Sequence, residues 1–172
     1  MTRLDHNRAL SMLSKKLGCH HDQISKVAIW GNHSSTQFAD TFSATVGGES
    51  LRKAINDDEF LDGEFLKNVA GRGAEIIKVM NKSSAASAAA SACDHMHDWW
   101  FGTKDGNWVS MGVITANAHY GIDTDLCFSY PVTIENGQWT IVKDIDLTQF
   151  QKDKLETSMK ELQEERMMAL GR

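Results

Sequence analysis

A chain of 172 residues, 41% hydrophobic and 24% charged, carries enough apolar material for one domain with its own core. Its formal charge of -5 leaves no basic surplus to draw it onto nucleic acid or an anionic membrane. No apolar run approaches the roughly 20 residues of a membrane span, and Met1-Thr2-Arg3-Leu4-Asp5-His6 lacks the apolar stretch of a signal peptide. Cys19, Cys93 and Cys127 are odd in number and far apart, which speaks against a disulfide framework and for a reducing, cytoplasmic setting. A single proline and no internal repeat point to one compact domain.

From Asp5 to Leu17 the residues Ala9, Leu10, Leu13 and Leu17 recur at helical spacing, with Gly18 as a stop and Asp5 expected near the N-cap. Lys26 to Trp30 reads as a short buried strand broken by Gly31-Asn32. Phe42 to Val46 reads as another strand, with Gly47-Gly48 as its turn. Asp58 to Met80 is helical in pattern, interrupted by Gly63, Gly71 and Gly73. Ser84 to Trp100 is a small-residue helix whose face lets a neighbour approach closely. Asn107–Thr115, Leu126–Ile134 and Gln138–Val142 are strand-like, with a hairpin turn at Glu135-Asn136-Gly137-Gln138. The last 25 residues form a charged helix with Leu155, Met159, Leu162 and Arg166 along one packed edge. This order predicts an α+β domain, its sheet mostly antiparallel and its helices packed to one side.

Asp5 and Arg8 lie three apart on a helix and so share a face, while His33 follows a strand end. A carboxylate, a guanidinium and an imidazole brought together suit the oxidation of a 2-hydroxy acid. Arg8 would grip the substrate carboxylate through two parallel hydrogen bonds, and His33 would accept the hydroxyl proton as a hydride leaves C2. Asp5 would orient the imidazole and stabilise it once protonated. On spacing alone, a solvated salt bridge and a structural histidine account for the same residues.

The literal strings add to this. Leu4-Asp5-His6-Asn7-Arg8-Ala9 and Gly31-Asn32-His33-Ser34-Ser35-Thr36-Gln37 are followed in order by Arg72-Gly73, Ser83-Ser84-Ala85, Trp100-Phe101-Gly102, Val109-Ser110-Met111-Gly112-Val113 and Tyr130-Pro131-Val132. Together they resemble the lactate/malate dehydrogenase family along essentially the whole chain. The Asn-Arg-Ala and Asn-His-Ser-Ser-Thr forms are closer to cytosolic-type malate dehydrogenases than to lactate dehydrogenases. The resemblance implies NAD-dependent interconversion of malate and oxaloacetate in tricarboxylic acid and malate metabolism, with the choice of NAD over NADP left open. It makes His33 the proton acceptor, Asp5 its partner and Arg8 a substrate-carboxylate ligand, and it places Gly73 and Ser83 on the pocket wall. It also implies a homodimer for the full-length enzyme.

Residues 1–172 then match the substrate-binding, catalytic half. No G-x-G-x-x-G run is present, so the Rossmann half that binds the dinucleotide is absent and this chain is expected to hold no cofactor-binding residue of its own and to be inactive alone. The arginine that reads the distal carboxylate would also lie upstream. Two other readings stand beside this one: a non-catalytic fragment that associates with full-length subunits, and half of a lactate-type 2-hydroxy-acid dehydrogenase. Ala39 replaces a proline common in the family and the loop at Val46-Gly47-Gly48 is shorter, both expected on a surface turn.

No metal site is expected. Cys93, His95 and His97 cannot converge from one helix, because His95 points away from the other two, and His20-His21 reads as a solvated loop. Asp123-Thr124-Asp125 and Asp144-Ile145-Asp146 fit turns better than calcium loops. The five tryptophans are expected in the core.

Overall fold

The computed structural model describes residues 1–171. Its first helix, α1 (Thr2–Leu17), buries Leu4, Ala9 and Leu13 on one stripe and ends at Gly18, whose left-handed backbone (φ 67°) lets the following turn close. The helix begins earlier than its apolar spacing suggests, with Met1 at the N-cap. Asp5 therefore lies inside the first turn, and its carboxylate is free to face other side chains.

Five short strands follow: β1 (Ile24–Ser25), β2 (Ala28–Trp30), β3 (Phe38–Asp40), β4 (Thr45–Val46) and β5 (Glu49–Ser50). The expected strand at Lys26–Trp30 is shortened because Lys26 takes a positive φ of 61° and donates its N–H to Asn107. The expected strand at Phe42–Val46 is likewise displaced. Asp40 accepts the Phe42 N–H at 2.8 Å, and Ala44 N–H returns to Thr41 O at 3.1 Å. This turn ends β3 at Asp40 and leaves Phe42 outside any strand. Ala39 is buried in β3 opposite Ile29, not on a surface turn.

A short helix, α2 (Leu51–Ile55), starts at Ser50 and was not legible in the apolar spacing. The next helical stretch opens with a π-helical turn at Phe60–Glu64 and continues as α3 (Phe65–Met80). Gly63 falls in that wider turn, whereas Gly71 and Gly73 do not interrupt the helix. Helix α4 (Ala85–Phe101) carries the small residues, and β6 (Val109–Val113), β7 (Phe128–Glu135) and β8 (Gln138–Ile141) form the antiparallel meander. Asn136 and Gly137, both at positive φ, close the β7–β8 hairpin. Helix α5 (Gln149–Leu170) opens with a reciprocal cap between Thr148 and Gln151.

All strand pairs are antiparallel, in sheets ordered β1-β4-β5, β2-β3 and β6-β7-β8. Gly31 and Ser129 exchange both backbone hydrogen bonds, which ties the end of β2 to β7. Alternation sorts the meander. Met111, Val113, Phe128, Tyr130 and Val132 join Trp30, Phe38 and Leu155 of α5 in one core. Ser110 and Ser129 face the other way, toward α1 and β2. A second core lies between α1, α2, α3 and β1–β3, built on Leu13, Ile29, Leu51, Phe65 and Val69. The result is an α+β domain. Trp30 and Trp108 are buried as expected, but Trp99 and Trp100 at the end of α4 are not, and Trp100 is 80% exposed. Among the described residues, no helix is long and apolar enough to cross a membrane.

Candidate active site

Asp5 is fully buried, and its two oxygens are shared between two partners. Oδ1 accepts from Arg8 at 2.9 Å, the neighbour that helical i,i+3 spacing supplies. Oδ2 lies 2.7 Å from His33 Nδ1, close enough for an ion pair, and among the described residues no aligned hydrogen bond reaches it. The Arg8 side chain is 12% exposed and the His33 side chain 49%, so the buried carboxylate stands behind an imidazole that reaches solvent and a guanidinium that is mostly enclosed. The buried carboxylate is offset by the Arg8 charge on Oδ1 and by the imidazole beside Oδ2. The three residues named from the sequence therefore meet.

Gly73 is also close. A Cβ there would lie 3.8 Å from Arg8 Nη1. Ser83 is exposed at the start of α4, and it is the adjacent Ser84 that meets the guanidinium, accepting from Arg8 Nη2 at 3.2 Å. Ser84 went unnoticed in the sequence because two serines stand side by side, and only the turn decides which one faces inward. Arg8 also borders a groove of about 600 Å³ between α1, α3 and α4, with Leu4, Met12, Arg72 and Ser91 among its walls.

The rest of α1 is fastened to its surroundings. Arg3 pairs with Asp98, and Asn7 donates to Asp94 at 2.7 Å and to Ser91 at 3.2 Å, all on α4. The acidic residues around Cys93 thus hold α4 against α1. His6 is buried with Nδ1 2.9 Å from Ser110 Oγ, which in turn accepts the Ile29 N–H at 2.8 Å. Ser110 Oγ thereby ties the His6 ring on α1 to the backbone of β2. Burial first, and then the nearby Arg3 charge, push the His6 pKa down to about 3.

The loop that carries His33 is set against α5. Gly31 takes φ 94°, and a Cβ on it would fall 2.2 Å from Ser158 Oγ. Ser158 accepts the Asn32 N–H at 2.7 Å. Glu161 Oε2 accepts from Ser34 and Thr36, each at 2.5 Å, and from the Asn32 amide at 3.1 Å. Partial burial pushes the Glu161 carboxyl up, but the donors from Ser34, Thr36 and Asn32 outweigh it and hold it below the usual carboxylate range. Within the charge alternation of α5, Glu161 carried no sequence signal that set it apart from its solvated neighbours.

His20, His21 and Asp22 form an exposed turn in which their ligand-type atoms come within 4.8 Å of one another. The contact of His20 Nδ1 with the Asp22 N–H accounts for part of that closeness.

This fold and this carboxylate-linked pair define a class before any relative is considered: a domain able to hold a carboxylate beside a positioned imidazole. Residues 2–170 match the model of the lactate/malate dehydrogenase alpha/beta C-terminal domain, and the chain belongs to that family. It is 46% identical to a malate dehydrogenase of Nicotiana tabacum and to a cytoplasmic malate dehydrogenase of Zea mays, covering 98% of this chain and 52% of each relative. Among solved structures, malate dehydrogenase from Naegleria fowleri superposes with a TM-score of 0.90 at 43% identity, covering 98% of this chain and 51% of that one. A Trichomonas vaginalis lactate dehydrogenase in complex with NADH and oxamate gives 0.91 at 30% identity, covering 98% and 52%. The chain thus spans about half the length of the relatives it matches.

Proposed function

We propose that residues 1–172 form the substrate-binding and catalytic domain of a cytoplasmic malate dehydrogenase, interconverting malate and oxaloacetate. The observation that carries this reading is the buried Asp5 carboxylate shared between Arg8 and His33. Because Nδ1 of His33 is turned to Asp5, Nε2 is the nitrogen left to take the proton from the C2 hydroxyl. Asp5 then stabilises the imidazolium at the moment it forms, without having to move. Arg8 spends one N–H on Asp5 and one on Ser84, which leaves a donor on each terminal nitrogen for the two oxygens of the substrate carboxylate. That grip fixes C2 against the imidazole. Gly73, without a side chain, leaves room beside the guanidinium, and Ser83 is proposed on the rim.

When bound, NAD supplies the hydride acceptor. The described residues do not fit the whole of it. No G-x-G-x-x-G turn leads into a helix N-terminus here, so the pyrophosphate and ribose need a dinucleotide-binding half outside these residues. The chain alone is accordingly proposed to be inactive. The apolar end of α4, with Trp100 and Phe101 exposed, supports a surface that is covered in the full-length dimer. A lactate-type substrate is the second reading, favoured by the likeness to the lactate dehydrogenase complex.

The test is turnover in a full-length protein carrying this domain. His33→Asn should lower kcat about 10²–10⁴-fold, the usual range for loss of a general base, while the fold is kept. Turnover within a few-fold of the parent would remove His33 from the mechanism. Oxaloacetate offered against pyruvate separates the malate reading from the lactate one.

A further inference from the structure

We infer that Glu161, on the C-terminal helix, is the residue that positions the His33 loop, acting as a shared acceptor for the residues on both sides of the imidazole. The inference rests on reading His33 as the proton acceptor, and it adds what holds that histidine in place.

Among the described residues, His33 makes one close polar contact, its Nδ1 lying 2.7 Å from Asp5 Oδ2. One contact at Nδ1 leaves the ring free to swing about that point, so its orientation depends on the backbone at 32–34. That backbone has few hydrogen bonds of its own beyond the Gly31–Ser129 bridge, since the loop lies outside any strand. Its order comes instead from side chains bonding to α5. Asn32 precedes His33 and donates to Glu161, and to Glu165 at 2.9 Å. Ser34 follows His33 and donates to the same Glu161 oxygen, as does Thr36. Ser34 then uses its oxygen to accept the Thr36 N–H at 3.1 Å, which folds the loop back on itself. A carboxylate is suited to this role because it only accepts. A single oxygen can take several donors, and each such bond is charge-assisted and short. Ser158, three residues earlier on α5 and fully buried, sets the distance by accepting the Asn32 N–H, against a Gly31 that has no side chain to obstruct it.

The geometry separates positioning from general packing. Glu161 is part-exposed at the helix edge, while the apolar seat of α5 is Leu155, buried in the core. Removing Glu161 should therefore loosen the loop and leave the helix docked.

The experiment uses the whole 172-residue chain, with amide hydrogen exchange and the His33 ring signal read by NMR. Glu161→Ala should speed exchange at the Thr36 amide by roughly tenfold or more, the scale of losing charge-assisted bonds. It should also shift or broaden the His33 ring signal, while amides of β6–β8 keep their protection. Glu161→Gln, which keeps one acceptor but not the charge, should fall between Ala and the parent. Glu164→Gln, an exposed neighbour on the same helix, should match the parent. If Glu161→Ala and Glu161→Gln both leave the Thr36 amide and the His33 signal as in the parent, the inference is wrong. Faster exchange spread evenly over β6–β8 would also overturn it, because Glu161 would then serve the fold at large. None of these readouts depends on turnover, so a failure of His33→Asn to impair catalysis would sink the proposed reaction and leave the positioning result standing.

Discussion

The two walls around His33 and Arg8 are built in opposite ways. On the α5 side, Gly31, Asn32, Ser34 and Thr36 each meet a named partner, and the loop is fixed from behind. On the side of the turn between α3 and α4, Ile77, Val79 and Met80 stand exposed, with Val79 at 77%, and among the described residues Ser84 alone bonds to Arg8 from that side. The loop that carries His33 is thus fixed from within this domain. The wall at the turn between α3 and α4 presents apolar side chains to solvent, a surface suited to contact with something beyond these residues.

The contrast breaks most severely at Gly31. Gly31→Ala places a Cβ 2.2 Å from Ser158 Oγ on a backbone at φ 94°, so steric overlap and backbone strain act together. Each costs about 1–3 kcal/mol, and urea unfolding should report a loss of several kcal/mol on that scale. Adding Ser158→Gly should restore part of it by removing the overlap but not the strain. An unchanged unfolding midpoint for Gly31→Ala would mean the loop is not pressed against α5.

A second test uses pH and the histidine next to Asp5. The His6 pKa is lowered by burial to about 3, against an unfolded value near 6.5. The folded state must keep the ring neutral while the unfolded chain can protonate it. Its contribution is therefore fully present above about pH 6.5 and is lost as pH falls toward 3, at up to about 1.4 kcal/mol per pH unit. Between pH 6.5 and 5 most carboxylates stay ionised, so the parent should lose stability more steeply than His6→Asn over that interval. Equal slopes in urea unfolding would show that His6 is not held neutral.

Much of the frame was legible because its signals are local. The stripe on α1 and the Asn136-Gly137 turn each lie within a few residues of what they organise. Asp5 and Arg8 meet for the same reason, and the family strings supplied His33. What escaped depends on distance along the chain. Glu161 reaches Ser34 across 127 residues and His6 reaches Ser110 across 104, and neither residue type betrays its partner. The Phe42 strand failed because the Asp40 side chain captures the Phe42 amide, a turn that an apolar run conceals. Trp99 and Trp100 stand among apolar neighbours in the sequence and are expected in the core with the other tryptophans, yet they sit exposed at the C-terminal end of α4.

The smallest effect is expected at the turn between α3 and α4, and it distinguishes two adjacent serines. Ser84 accepts from Arg8 Nη2 at 3.2 Å, whereas Ser83 is exposed at the turn. Ser84→Ala removes one part-buried bond to a charged donor. The bond is long at 3.2 Å and one of several the guanidinium can make, so the cost should be about 0.5–1.5 kcal/mol in urea unfolding. Ser83→Ala should stay within about 0.5 kcal/mol of the parent, as exposed substitutions do. In a full-length enzyme the two should also differ in kinetics. Loss of Ser84 frees the Arg8 fork on one side, so KM for the 2-hydroxy acid should rise with kcat little changed, because carboxylate binding weakens before proton transfer does. If Ser83→Ala instead raised KM and Ser84→Ala did not, the turn would have to rotate when substrate binds, and the wall seen open here would be one that closes.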